Sequence, residues 1–179
     1  KRTTTTDLTA DQIHNLGLKE VARIQAEMRR IMRRVKFDGD LQAFFNFMRN
    51  GPQFYYPDSA AGKQAYLDQA ALLIDTMKSR LDELFITKPK ADLVVKAVEA
   101  FREASAGQAF YQSPAPDGSR PGTYFANLYK MSDMSKYNME ALAYHEGIPG
   151  HHMQISIAQE LQNMPKFRLF GGYTVFSEG

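Results

Sequence analysis

The sequence predicts a mainly α fold, an antiparallel layer of helices with one small β element beside a histidine-bearing helix. Three observations predict it. Apolar residues recur at three- and four-residue steps through most of residues 9–101. One β-branched, aromatic run follows a turn-rich loop late in the chain. No internal repeat, low-complexity tract or sharp composition shift marks a linker, so residues 1–179 read as a single helical region.

Thr9-Ala10-Asp11-Gln12 has capping-box spacing, and Val21, Ile24, Met28, Ile31, Met32 and Val35 continue one stripe, which predicts a long helix ending near Asp38-Gly39. Leu41, Phe44, Phe45 and Met48 predict a shorter helix stopped by Asn50-Gly51-Pro52. The Met and Phe positions are expected to face a core. After the aromatic connector Phe54-Tyr55-Tyr56-Pro57, the stripe Tyr66, Ala70, Leu73, Met77, Leu81 and Leu84 predicts another long helix, interrupted at Lys88-Pro89. Leu93, Val94, Ala97, Val98 and Phe101 are read as the next helix. The loop Ser113 to Gly122 is dense in Pro, Gly, Ser and Asp, and Thr123 to Tyr129 then reads as a short strand. That strand is either one edge of a hairpin or an edge that pairs with an extended peptide substrate.

Composition excludes several classes of function. The chain has 179 residues, 44% hydrophobic and 23% charged, enough for one sizeable core. With no cysteine there is no disulfide, iron–sulfur cluster or thiol nucleophile, so a metal would have to be held by histidine and carboxylate. The net charge is +2, and the basic run Arg29 to Lys36 is interleaved with apolar residues at helical spacing and lacks an aromatic stacking platform. It reads as a solvated helix face rather than a nucleic-acid patch. No stretch approaches the ~20 apolar residues of a membrane span, and Lys1 to Thr6 lacks the apolar middle of a signal peptide. The absence of an initial methionine and the ending on Ser177-Glu178-Gly179 suggest a piece of a longer chain.

Three of the four histidines fall in Tyr144-His145-Glu146-Gly147-Ile148-Pro149-Gly150-His151-His152-Met153-Gln154, while His14 lies in the polar start of the first helix. His-Glu resembles the start of the zincin arrangement, in which two histidines four residues apart hold zinc and the glutamate acts as base. Here the second histidine is six residues on, about 240° round a regular helix, and His152 lies about 10 Å further along it. Neither can share an ion with His145 on an undistorted helix, because zinc ligands stand only roughly 3–4 Å apart. Pro149 cannot bond to the carbonyl of His145 and its ring would clash there, so a break flanked by Gly147 and Gly150 is expected to swing His151 back. The competing reading is a helix end with surface histidines.

His145-Glu146 followed by Pro149-Gly150-His151-His152, with Gln154 beyond, resembles the signature of the bacterial family of unknown function DUF885, grouped with zincin-like metallopeptidases. Phe176-Ser177-Glu178-Gly179 looks like the opening of that family's Glu-Gly-Trp-Ala motif, and Asp117 to Tyr124 with Asn127 resembles the loop and strand that precede the histidine motif. These matches cover roughly the last third of the chain. The resemblance implies a zincin-related fold and a zinc-dependent hydrolase, a metallopeptidase acting on peptide substrates. His145, His151 and Glu178 would be the zinc ligands and Glu146 the general base. His152, Gln154, Tyr124 and Asn127 would be substrate-binding or outer-sphere residues, with Gln154 equally able to face solvent. It also implies that the chain is part of a longer metallopeptidase-like domain and inactive alone. Family members often carry signal or lipoprotein leaders, which leans towards a periplasmic or extracytoplasmic setting without fixing one. The alternative is a non-catalytic helical interaction domain with a structural or vestigial metal site.

Overall fold

The structure, a computed structural model, describes residues 4–169, 171 and 177–178. Its described part is mainly helical with a small three-stranded mixed sheet. Two compact units are distinguished, one running through Pro52 and taking in Glu178, and the other spanning Gln53–Ser177.

In the first unit, α1 (Ala10–Arg34) opens with the expected capping box: the Gln12 N–H donates to Thr9 Oγ1 at 3.2 Å and the Thr9 N–H to Gln12 Oε1 at 2.8 Å. Asp40 caps α2 (Leu41–Asn50) by accepting from the Ala43 N–H at 2.7 Å. Phe37, Phe44 and Phe47 cluster where the chain turns between the helices, with Phe37 and Phe44 edge to face at 5.0 Å. Of the Met and Phe positions expected to face a core, Met32 and Phe44 are buried and Met28, Phe45 and Met48 half-buried, and on α1 the rest of the apolar stripe is not covered. Ile13, Leu16, Val21, Ile24, Ile31 and Val35 are all exposed. Amphipathic spacing fixes which side of a helix is apolar, but burial also needs a partner along its length.

The second unit begins with α3 (Ala60–Ser79), capped by Ser59 Oγ, which accepts from the Gly62 N–H at 3.1 Å. This helix stops short of Leu81 and Leu84. The hydroxyls of Thr76 and Ser79 donate to the carbonyls of Leu72 and Thr76, at 2.7 Å each, and compete with the helical ladder near its end. Leu81 is still buried, from a short 3₁₀ turn, whereas Leu84 is exposed.

The expected helix at Leu93 to Phe101 is wrong. Leu93–Ala97 is β1, followed by β2 (Ala109–Gln112) and β3 (Gly122–Ala126). The sheet order is β1-β3-β2, with β1 parallel and β2 antiparallel to β3. Leu93-Val94-Val95-Lys96-Ala97-Val98 fits both a helical and a two-residue period, and its β-branched valines favour the strand once a neighbour is available. The strand expected over Thr123 to Tyr129 spans Gly122–Ala126 instead, and β3 is central, hydrogen-bonded on both sides, so it is not an edge open to a peptide.

Pairing of Tyr124 with Val95 and Tyr111 places these three side chains on one face of the sheet. That face packs with Tyr66, Ala70 and Ile74 of α3 and Met139 and Ala143 of α4 (Lys136–Glu146) in the main core. On the opposite face Phe110 stacks on Phe125 at 4.9 Å, and the Arg102 guanidinium lies over both rings at 4.8 and 5.0 Å. The described chain continues through α5 (His151–Glu160) and the short α6 (Lys166–Leu169). Among the described residues no helix is long and apolar enough to cross a membrane.

Candidate metal centre

The helix breaks where Pro149 requires it. α4 ends at Glu146 and α5 starts at His151. Across the break the Gly150 N–H donates to the carbonyl of Tyr144 at 2.9 Å and the His152 N–H to that of Gly147 at 3.1 Å. A Cβ on Gly150 would collide with the carbonyl oxygens of His145 and Tyr144, and one on Gly147 with Ile74 and the carbonyl of Ala143. Both glycines permit close backbone approach. Ile148 anchors the segment by burial against Leu81 and Met153.

The break brings together residues that a continuous helix would separate. The rings of His145 and His151 lie 4.5 Å apart, centroid to centroid, at 67°. Glu178 falls in the other compact unit, so the geometry described at this site is that of the two imidazoles. His145 and Glu178 are exposed and His151 is half-buried. Two imidazoles and one carboxylate are a donor set suited to zinc.

Glu146, beside His145, is only 6% exposed. Nearby on β3, Tyr124 is wholly buried, and its hydroxyl has no hydrogen-bond partner among the described residues. Burial first, then Tyr66, then the charge of Glu146 hold the Tyr124 phenol above its ordinary range.

His152 is also wholly buried. Its Nε2 lies 3.0 Å from the Ala91 carbonyl oxygen and its Nδ1 3.0 Å from the Tyr111 hydroxyl, with Ser156 Oγ at 3.5 Å. A carbonyl can only accept, so Nε2 carries the proton and Nδ1 accepts from Tyr111. Burial lowers the affinity of this imidazole for a second proton and pushes the Tyr111 phenol up to about 12. Tyr111 also faces His151, with ring centroids 6.4 Å apart. It was not foreseen from the sequence, although Ala109-Phe110-Tyr111 carries the aromatic strand signal.

Asn127 holds the backbone. Its Nδ2 lies 2.8, 3.1 and 3.1 Å from the carbonyls of Glu103, Ala106 and Gly107, and its Oδ1 accepts from the Tyr129 N–H at 3.1 Å. Gln154 is exposed, and its N–H donates to the Gly150 carbonyl at 3.0 Å in the first turn of α5. Of the motif around Glu178, Ser177 and Glu178 are described, and Phe176 and Gly179 lie outside the described residues.

The chain belongs to the family described as bacterial protein of unknown function (DUF885), whose model matches residues 1–179. It is similar to the crystal structure of a candidate lipoprotein from Colwellia psychrerythraea, at a TM-score of 0.93 and 32% identity. That similarity covers 99% of this chain and 31% of the other, so the chain spans about a third of the length of that relative. No curated protein matches it.

Proposed function

We propose that this chain carries the metal-binding and base-bearing part of a zincin-related, zinc-dependent hydrolase, a metallopeptidase whose complete activity belongs to a longer polypeptide. The observation that carries this reading is the break between α4 and α5, which sets the rings of His145 and His151 4.5 Å apart despite their six-residue spacing. His145 and His151 would bind zinc as neutral imidazoles and Glu178 as a carboxylate. A bound zinc supplies Lewis-acid polarisation of a substrate carbonyl and lowers the pKa of water at its open position. Three protein donors, two imidazoles and a carboxylate, would leave the open position of a catalytic shell, unlike the closed four-ligand shell of a structural site.

Glu146 would take up the proton of the attacking water on a carboxylate oxygen and return it to the leaving amine. Its place next to His145 in sequence keeps it at the site while leaving ligation to other residues. An extended peptide would align by strand addition at the outer edge of β2, which is unpaired among the described residues and carries Tyr111 beside His151.

The test is zinc stoichiometry by elemental analysis of the full-length protein, together with peptide hydrolysis. One tightly held zinc per chain, lost in His145→Ala and His151→Ala along with activity, is the expected result. A full-length protein that holds no zinc, or that hydrolyses peptides equally well after either substitution, would defeat the reading.

A further inference from the structure

We propose that His152 is a positioning residue for His151, a buried imidazole strut that fixes the rotation of α5 about its own axis and so sets the side of the helix that faces His145. The strut itself is argued from contacts within the second unit, and its consequence for metal binding rests on the zinc-hydrolase reading.

Three separate pieces of chain grip this imidazole. The Ala91 carbonyl, just ahead of β1, accepts from Nε2, and Tyr111 on β2 donates to Nδ1, each at 3.0 Å. On β3, Gly122 comes so close that a Cβ there would collide with both His152 Nδ1 and Tyr111 Oη. The ring is therefore hydrogen-bonded at both ends and walled by backbone, in a position with no exposure to solvent. Releasing it would leave a buried donor and a buried acceptor unsatisfied.

Adjacent residues on a helix share its rotation, so whatever holds His152 holds the direction of His151. Side-chain tips stand about 5–6 Å from a helix axis, and a turn of ~30° would carry the ring of His151 by roughly 3 Å. That is about the whole separation between two ligands on one zinc. The link to α4 restrains one end of α5 through its backbone bonds and the burial of Ile148, and His152 adds a tie from α5 to the sheet. Outer partners of this kind typically change metal affinity by 10–100-fold when removed.

The experiment compares the full-length protein with Tyr111→Phe, which deletes one hydroxyl, with His152→Leu, which fills space but can make neither bond, and with His152→Gln, whose amide can still donate to Ala91. Gln162→Ala, at an exposed position just beyond α5, is the control. In the metal-free state, contacts between the His145 and His151 ring protons are read by nuclear Overhauser effects, and zinc affinity is read by chelator competition. Weaker ring contacts and at least tenfold weaker zinc binding are expected for Tyr111→Phe and His152→Leu, with partial recovery in His152→Gln and no change in Gln162→Ala. Helical circular dichroism should be retained in Tyr111→Phe, which decides the matter if His152→Leu does not fold. Unaltered ring contacts in Tyr111→Phe would overturn the strut. A native protein that binds no zinc would defeat the hydrolase reading, and the ring contacts would still decide the strut.

Discussion

Glu146 and His145 are neighbours with opposite surroundings: the carboxylate is buried at the last residue of α4, and the imidazole before it is exposed. A base that moves a proton needs its charge and its place, while a ligand also needs to reach the ion. Glu146→Gln keeps the shape and removes the basicity, so the full-length variant should retain zinc and fold while losing 10²–10⁴-fold in peptide hydrolysis. Unchanged turnover would leave Glu146 without a chemical role, and loss of zinc would make it a ligand. Asn127 provides the contrast, since among the described residues its amide bonds to backbone alone. Two amide hydrogens serve three carbonyls, so Asn127→Ala should cost about 2 kcal/mol in chemical denaturation through lost bonds and unsatisfied carbonyls, with zinc affinity unchanged. A variant as stable as the parent would show that solvent replaces those bonds freely.

Between elements, the geometry depends on the four residues from Gly147 to Gly150. Gly150→Ala places a methyl group against two carbonyl oxygens of the last turn of α4, and a well-packed site pays ~1–3 kcal/mol for such crowding. Because the displaced backbone leads directly into His151, zinc affinity should fall together with the denaturation midpoint; a fall in the midpoint alone would show that the break tolerates the shift. This break was legible in the sequence, since the constraint a proline places on a helix is local and Pro149 lies four residues after His145. The sheet was less legible. β1 satisfies two periodicities at once, β2 has four residues, and both are decided by pairing with β3 rather than by local preference. For the same reason the approach of His151 to His145 follows from a local break at Pro149, whereas the bond from Tyr111 to His152 spans 41 residues and depends on strand register.

At the scale of the whole molecule, the larger unit concentrates tyrosine in its interior. Tyr66 and Tyr124 belong to the main core, and Tyr111 is half-buried beside His152. Burial is the first cause raising all three phenols above their ordinary value of 10.0, Tyr111 to about 12. In the unfolded chain they ionise near 10, while in the folded chain they stay protonated, so above that pH the unfolded state binds fewer protons and stability falls. Their contribution is fully present below pH 10 and is lost as pH rises from there through 12 and beyond. Urea midpoints should therefore drop steeply between pH 10 and 11, while the tyrosinate absorbance of these residues appears only with unfolding. Tyr124 allows a sharper test, because its hydroxyl is buried without a hydrogen-bond partner among the described residues. Replacing an unsatisfied buried group by an apolar one of the same shape is close to neutral or stabilising, so Tyr124→Phe should match or exceed the parent at pH 8. At alkaline pH the same variant should show a shallower loss, since a phenylalanine has no proton to withhold. If its stability fell with the parent's slope, the alkaline transition would have to be driven by other groups, and burial of Tyr124 would have no part in it.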